Sequence, residues 1–412
     1  MISTWRAVTM RDVIDEFYDG PHATPSPSTD GPVYLGIKNL TEDGHLDMTE
    51  VRYIAESDYP KWTRRVEPRK GDLVFTYEAS LHRYAVIPEG FRGALGRRVA
   101  LLRTRSDIID TRFLLYVFIG PEWRATVQKR LNVGSTVDRL PLTDFPSFPL
   151  RIPSLDEQLK IAAILSAYDD LIENNNRRIE LLEEMAQRIY REWFVDFRYP
   201  GHDVVPMVDS EFGRIPQGWC FRPLSTLAKV VMGQSPPSSA YNKNREGKPF
   251  HQGVGTFGTH FPAHDVYSKT GTRLAEKDDI LMSVRAPVGR INVADREMIL
   301  GRGLSGIRAE AGPFEFLLFA LRHFFREEDV MGNGSIFKSV TKRDVENLPL
   351  PWPGHNTAQR FSDLVSPMWR HLQLLTRERL NLESTRDLLL PRLVSGDVDV
   401  TNLNIDITET AA

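Results

Sequence analysis

From Ile161 the seam positions fall at 161, 165, 168, 172, 175, 179, 182, 186, 189 and 193, alternating four and three residues. That is the period of a coiled-coil seam, kept for more than four heptads. Leu165, Ile172, Ile179, Ala186 and Trp193 take position a; Ile161, Tyr168, Asn175, Leu182 and Ile189 take position d. A helix from about 157 to 196 would be about 60 Å long at 1.5 Å per residue. Its centre carries three consecutive asparagines, Asn174 to Asn176, each costing a few tenths of a kcal/mol relative to alanine. A second stretch keeps the register 200 positions later. Val365, Leu372, Arg379, Arg386 and Leu393 take a; Phe361, Met368, Leu375, Leu382 and Leu389 take d. Pro367 and Pro391 predict a kink or late start and an early end to this helix.

The polar seam residues decide how the helices pair. Side by side in parallel, Arg379 faces Ile179, Arg386 faces Ala186 and Asn175 faces Leu375, stranding polar groups at about 1–3 kcal/mol each. In an antiparallel pair centred on 177 and 377, Trp193 meets Phe361 and Ile179 meets Leu375. Asn175 then meets Arg379, and Tyr168 meets Arg386, so each arginine finds an acceptor or a π face. The antiparallel pair is the expectation. It makes Asn175 a register-setting residue, with Asn174 and Asn176 facing solvent or a partner, and it predicts that Asn175→Leu destabilises the chain.

Each helix follows a copy of one larger unit. "NVGSTVDRLPLTDFPSFPLRIPSLDEQLKIAAIL" (132–165) aligns with "GNGSIFKSVTKRDVENLPLPWPGHNTAQRFSDLV" (332–365), and Gly134, Ser135, Asp144, Pro149, Leu150 and Pro153 recur 200 positions on. Upstream, "GPHATP" (20–25) answers "GQSPPS" (233–238), "KGDLVFT" (70–76) answers "KDDILMS" (277–283), and "GRRVALLR" (96–103) answers "GRGLSGIR" (301–308). "FLLYVF" (113–118) likewise echoes "FLLFAL" (316–321). The order is constant while the spacing drifts, as loops do between two copies of one fold. "TYEASLHRYAVI" (76–87), however, lacks the turn that "SVRAPVGRINVA" (283–294) shows. Short β-branched runs between Gly/Pro turns, with helical stretches near 112–130 and 314–330, give each unit an α/β character. The expected division is 1–153 and 201–353 for the repeated domains, 154–200 and 354–400 for the long helices, and 401–412 for a tail.

With 412 residues, more than one core is required. The longest apolar run, "FLLYVFIG" from Phe113, is too short to span a bilayer, and the N-terminal stretch lacks the apolar core of a secretory signal. A single cysteine, Cys220, excludes a disulfide framework and a multi-cysteine zinc site. A cytoplasmic protein without membrane contact is expected. The net charge of −3 does not announce a nucleic-acid binder, but "KWTRRVEPRK" (61–70) and "GRRVALLRTR" (96–105) can form basic faces.

Catalytic motifs lead nowhere. "GVGTFG" (253–258) has dinucleotide-loop spacing, but Pro262 breaks the helix that such a loop must feed. "SPPS" (235–238) is similar to the Pro-Pro-aromatic loop of amino-methyltransferases, yet it ends in serine and no glycine-rich cofactor strand accompanies it; a turn is expected. His251, His260 and His264 fit no metal-ligand spacing and read as loop histidines. No phosphate-binding loop and no nucleophile constellation is present, so no catalytic residue, metal or cofactor is assigned to this chain.

The stretch "DEQLKIAAILSAYDDLIENNNRRIELLEEMAQRIYREWFVDF" (156–197), and the echo ending "LLLPRLVSGDVDV" (388–400), resemble the specificity subunits of type I restriction-modification enzymes. "GDLVFT", "DDILMSV", "GRGLSGIR" and "NGSIFKSVTKRDVENLPL" resemble the family's target-recognition domains, so the likeness covers nearly the whole chain. One departure is "NTAQR" (356–360), where the first copy has "LDEQL". The resemblance implies two tandem α/β target-recognition domains, each followed by a long helix, the helices pairing as an antiparallel coiled coil. It also implies a double-stranded DNA target in two halves, asymmetric because the domains differ. The helices would act as a ruler, with half-sites favoured about one turn, ~34–36 Å, apart. Two methylation subunits and the restriction subunits are the implied partners, and they would carry S-adenosylmethionine, ATP and Mg2+. The alternatives are a coiled-coil scaffold without DNA specificity and a degenerate enzyme half whose active site forms only in a complex.

Polar and basic residues in the loop-like echoes are the candidate DNA contacts, since side chains reaching base edges read sequence and those on phosphates position the protein. In the first domain these are His22, Thr24, Lys38, Tyr77, Arg83, Arg97, Arg98, Ser135, Thr136 and Arg139. In the second they are Ser235, Ser238, Tyr241, Asn242, Lys243, Arg285, Arg302, Ser335, Lys338 and Lys342.

Overall fold

The computed structural model describes residues 5–131, 137–211, 213–326, 339–405 and 407. They form two compact units, residues 1–175 with 378–412, and residues 176–377. The cuts fall inside the two long helices, Leu155–Phe194 and His355–Ser395, so the units cross the expected division into domains and helices. The physical reason is packing: each helix buries its two halves in different cores.

In the first unit the central sheet is antiparallel, in the order Ile14–Asp19, Val99–Thr104, Leu73–Thr76, Tyr84–Val86. Strand alternation divides its two faces. Leu73 and Phe75 point into a core shared with the helix Thr111–Ile119 and the long helices, while Val74 points into a second core with Leu35, Leu40 and Leu101. A smaller sheet of Arg52–Tyr53, Ser28–Leu35 and Gly93–Leu95 contains one parallel pairing. The second unit repeats this plan. Its four-stranded antiparallel sheet runs Ala228–Met232, Leu304–Ala309, Ile280–Ser283, Ile291–Val293. Ile280 and Met282 face the helix-side core, and Leu281 faces the other. Beside it, Lys248–His251 and Met298–Leu300 supply the matching parallel pair. Even the strand entry is copied: Asp72 accepts from the Arg69 amide (2.8 Å) and pairs with Arg103 (2.9 Å), as Asp279 does with the Glu276 amide (2.8 Å) and Arg308 (2.8 Å).

Within each unit the helix halves run antiparallel. In the first, Lys160 donates to the Thr401 carbonyl (3.0 Å) and Asp169 pairs with Arg386 (2.8 Å). In the second, the Trp193 and Phe361 rings meet edge-on at 6.0 Å, the contact expected from the seam register. Each helix also buries a second stripe against its domain: Tyr190 and Phe194 pack on Phe316, and Leu390 and Val394 join the core of the first unit. Among the described residues no helix is long and apolar enough to cross a membrane.

Three helix expectations need correction. Neither proline breaks the second helix, which runs unbroken through Pro367 and Pro391 to Ser395. A lost helical bond costs about 3 kcal/mol, but Phe361 and Val365 before Pro367, and Trp369 and Leu372 after it, are all buried in one core. Arg386 is paired by Asp169, the neighbour of the expected Tyr168, because a carboxylate compensates a largely buried guanidinium better than a ring face does. Asn175 is buried at the seam, but no hydrogen bond joins it to Arg379. Asn175 Nδ2 and Arg379 Nε have no hydrogen-bond partner among the described residues, and Arg379 turns to Glu383 (3.4 Å). The expected effect of Asn175→Leu therefore reverses. Removing a buried unpaired donor leaves stability unchanged or raises it by up to about 1–3 kcal/mol, and a lowered melting temperature contradicts this.

Candidate nucleic-acid interface

Matched loops gather at the same strand ends in both units. Gly20 and Gly233 make the closest backbone approaches: a Cβ on Gly20 would lie 2.2 Å from the Gly96 carbonyl oxygen, and one on Gly233 2.1 Å from that of Gly301. Only glycine fits there, which straps "GPHATP" and "GQSPPS" against the residues that follow Gly96 and Gly301. Those residues are Arg97 and Arg302. Both side chains are exposed, and both backbone amides are held, by Tyr34 Oη (2.8 Å) and Ser235 Oγ (3.2 Å) respectively. Ser235 also donates to Gln252 Oε1 (2.8 Å).

Beside each arginine stands a hairpin. In the first unit the Thr76 amide donates to the Arg83 carbonyl (3.0 Å), and Thr76 Oγ1 to the Ser80 carbonyl (2.5 Å). In the second the Ser283 amide donates to the Arg290 carbonyl (3.0 Å), and Ser283 Oγ to the Pro287 carbonyl (2.6 Å). "TYEASLHRYAVI" thus does make the turn it was expected to lack. Ala79 and His82 take positive φ (72° and 62°) where the second copy uses a cis Ala286–Pro287 bond and Gly289. The hairpins then receive the chain that leads to the long helices. Leu140 N–H donates to the Tyr77 carbonyl (2.8 Å) and Val340 N–H to the Val284 carbonyl (3.0 Å), with bridges Glu78–Arg139 and Arg285–Ser339.

Several predicted contacts converge here. Tyr77, Arg97, Arg98 and Arg139 meet in the first unit, and Ser235, Arg285 and Arg302 in the second. Tyr77 is buried and its hydroxyl has no partner among the described residues; burial, then the charges of Asp19 and Glu78, push its pKa up. Sequence reasoning missed Glu78, which pairs with Arg98 (2.9 Å) and approaches Arg139 (3.8 Å). Aligning "TYEAS" with "SVRAP" would have found it opposite Arg285.

Other predicted residues have local structural partners. Arg83 donates to the Leu40 carbonyl (3.0 Å), Tyr241 to the Pro236 carbonyl (3.1 Å), and Asn242 closes a turn on Glu246 (2.9 and 3.0 Å). Lys38 pairs with Glu50 (3.1 Å), Lys342 with Glu346 (3.2 Å) and His22 with Asp19 (3.3 Å). Thr24, Ser238 and Lys243 are exposed. Ser135, Thr136, Ser335 and Lys338 lie outside the described residues.

Two of the three histidines form a chain: His264, and His251, which ends the buried strand Lys248–His251 rather than lying in a loop. Thr256 Oγ1 lies 2.7 Å from His251 Nδ1, His251 Nε2 lies 3.0 Å from His264 Nδ1, and His264 Nε2 lies 2.9 Å from Asp295. Neutral imidazoles satisfy every link if the proton on each Nε2 points toward Asp295. Among the described residues no group of three His, Cys, Asp or Glu side chains could hold a metal ion. Burial, reinforced by His264, holds the His251 imidazole down to about 4. A histidine whose folded pKa lies below its unfolded value favours folding above the unfolded pKa. That contribution is lost as pH falls from about 6.5 toward 4, by on the order of 3 kcal/mol. Melting wild type and His251→Gln across this range checks it: the variant should lose less, and parallel curves would contradict the assignment.

The duplicated fold presents matched arginines, Arg97 and Arg302, on equivalent exposed strand-end loops, one set in each unit. The family model for the type I restriction modification DNA specificity domain matches twice, over residues 34–184 and 216–384, and the chain belongs to that family. It is a DNA specificity subunit with two recognition domains, which removes the scaffold alternative. Two Methanocaldococcus jannaschii proteins named as type I restriction enzyme specificity subunits are 28% and 25% identical to it. The alignments cover 96% and 85% of this chain and 94% and 83% of theirs. The solved S subunit of a type I restriction-modification system from M. genitalium shares the fold, with TM-score 0.61, 15% identity, and 95% of this chain and 96% of that one covered.

Proposed function

We propose that the chain reads an asymmetric two-part duplex target, one half through each domain, and docks two methylation subunits on its helices. The observation that carries this is the pair of equivalent loop clusters, alike in backbone and different in side chains: Glu78, Arg98 and Arg139 in one, Arg285 in the other. One fold with two surfaces implies two different half-sites. Docking is supported by exposed apolar side chains on the helices, Leu171 and Leu388 in the first unit and Leu181, Met185 and Leu374 in the second. Methyl transfer from S-adenosylmethionine, and cleavage driven by ATP and Mg2+, belong to the methylation and restriction subunits, with this chain non-catalytic and cytoplasmic.

A random-duplex selection with the purified chain and its methylation subunits tests this reading. The expected product is one consensus with two unlike halves at fixed spacing, and affinity that falls steeply with salt. Recovery of unenriched duplex overturns it.

A further inference from the structure

The two units align residue by residue at the interface, so each serves as a reference for the other. Thr76 pairs with Val99, and the Tyr77 amide donates to the Arg98 carbonyl (3.1 Å), which continues that register to Glu78 and Arg97. Ser283 pairs with Leu304, and the Val284 amide donates to the Gly303 carbonyl (2.9 Å), which continues the register to Arg285 and Arg302. The second unit therefore sets two arginines at opposed positions of neighbouring strands. Both are exposed, and neither has an ion pair among the described residues. Like charges directly opposite destabilise a strand pair. In the first unit the position of Arg285 holds Glu78, which neutralises its surroundings by pairing with Arg98 and Arg139. The fold thus does not require positive charge at this position, and the second unit carries it unpaired.

What the two copies share must serve what the half-sites share, and what differs must serve what differs. Every half-site has the same sugar-phosphate backbone, while its bases are its own. Arg97 and Arg302 are the shared pair; Glu78 and Arg285 are the unlike pair. We propose that Arg285 reads a guanine in the half-site of the second domain, through the paired O6 and N7 acceptors that a guanidinium matches, and that Arg302, like Arg97, holds a backbone phosphate. This rests on the two-half-site reading above.

The same selection, run on the full chain with its methylation subunits, separates the two. The wild-type consensus is expected to contain a guanine that Arg285→Ala relaxes by about ten- to one-hundred-fold, at that position alone. Arg285→Lys keeps the charge but loses the fork, so it relaxes the same position while the salt dependence stays. Arg302→Gln lowers affinity for all duplexes alike and reduces the slope of log K against log salt by about one. Arg285→Ala retaining the complete wild-type consensus overturns the assignment, and so does an even loss across all sequences, which marks a phosphate contact. A wild type without any consensus defeats the two-half-site reading itself. Melting temperatures equal to wild type confirm that these exposed substitutions leave the fold intact.

Discussion

Glu183→Ala is expected to destabilise the second unit by about 3–5 kcal/mol, because it leaves a buried guanidinium without its counter-charge. Glu183, on the first long helix, accepts from His260 Nε2 (2.7 Å) and pairs with Arg322 (2.5 Å). Arg322 is buried against Trp369 and Phe319, its carbon 5.5 and 5.7 Å from their ring centres, and that burial lowers its pKa. Burial pushes the Glu183 carboxyl up, but the His260 hydrogen bond and the charge of Arg322 outweigh it, and its pKa is lowered overall. The carboxylate is the group that lets a cation sit there. Glu183→Leu combined with Arg322→Leu should recover most of the loss, since replacing a buried pair by apolar groups is often neutral or better. Urea unfolding of the three variants gives the answer; a single-variant loss below about 1 kcal/mol would show that Arg322 escapes to solvent.

The first unit has an anchor of the same kind from different residues. Asp169 pairs with Arg386 (2.8 Å) and accepts from the Tyr116 hydroxyl (2.6 Å), tying the helix pair to the helix Thr111–Ile119. Both members of the ion pair are largely buried, with side chains 12% and 14% exposed. Burial, then the nearby Asp169 charge, push the Tyr116 phenol up, so it stays a donor. Asp169→Ala should cost about 3 kcal/mol, and Tyr116→Phe about 1. Hydrogen exchange localises the effect: faster exchange in Thr111–Ile119 is expected, and unchanged protection there would place Asp169 outside the anchor.

The sequence disclosed what repeats and what is periodic. Duplicated phrases located both domains, and seam spacing located both long helices, because apolar burial recurs every three or four residues whatever the neighbours are. The polar pairings that pointed to the antiparallel direction are not the ones the helices make. The anchors were not legible. Asp169 and Glu183 are two among several carboxylates on the first long helix, and only the fold shows which charges lose their water. The prolines misled for a related reason: a local rule about one missing hydrogen bond says nothing of the core on either side. At the candidate interface, Arg97, Arg98, Arg285 and Arg302 were singled out because their loops echo, and the fold carries them to matched strand ends. Glu78 was passed over because an acid was not sought among DNA contacts, although its pairing with two arginines organises that surface.

The cut through both helices, between Asn175 and Asn176 and between Arg377 and Glu378, has a consequence for how specificity can change hands. Residues 176–377 carry one reader with every segment of its own core in a single uninterrupted run. A genetic exchange that breaks at mid-helix therefore moves that reader whole, like a cartridge, whereas one that breaks at the proline-rich junctions separates it from half its packing. The run of asparagines, Asn174 to Asn176, straddles the first of those two break points.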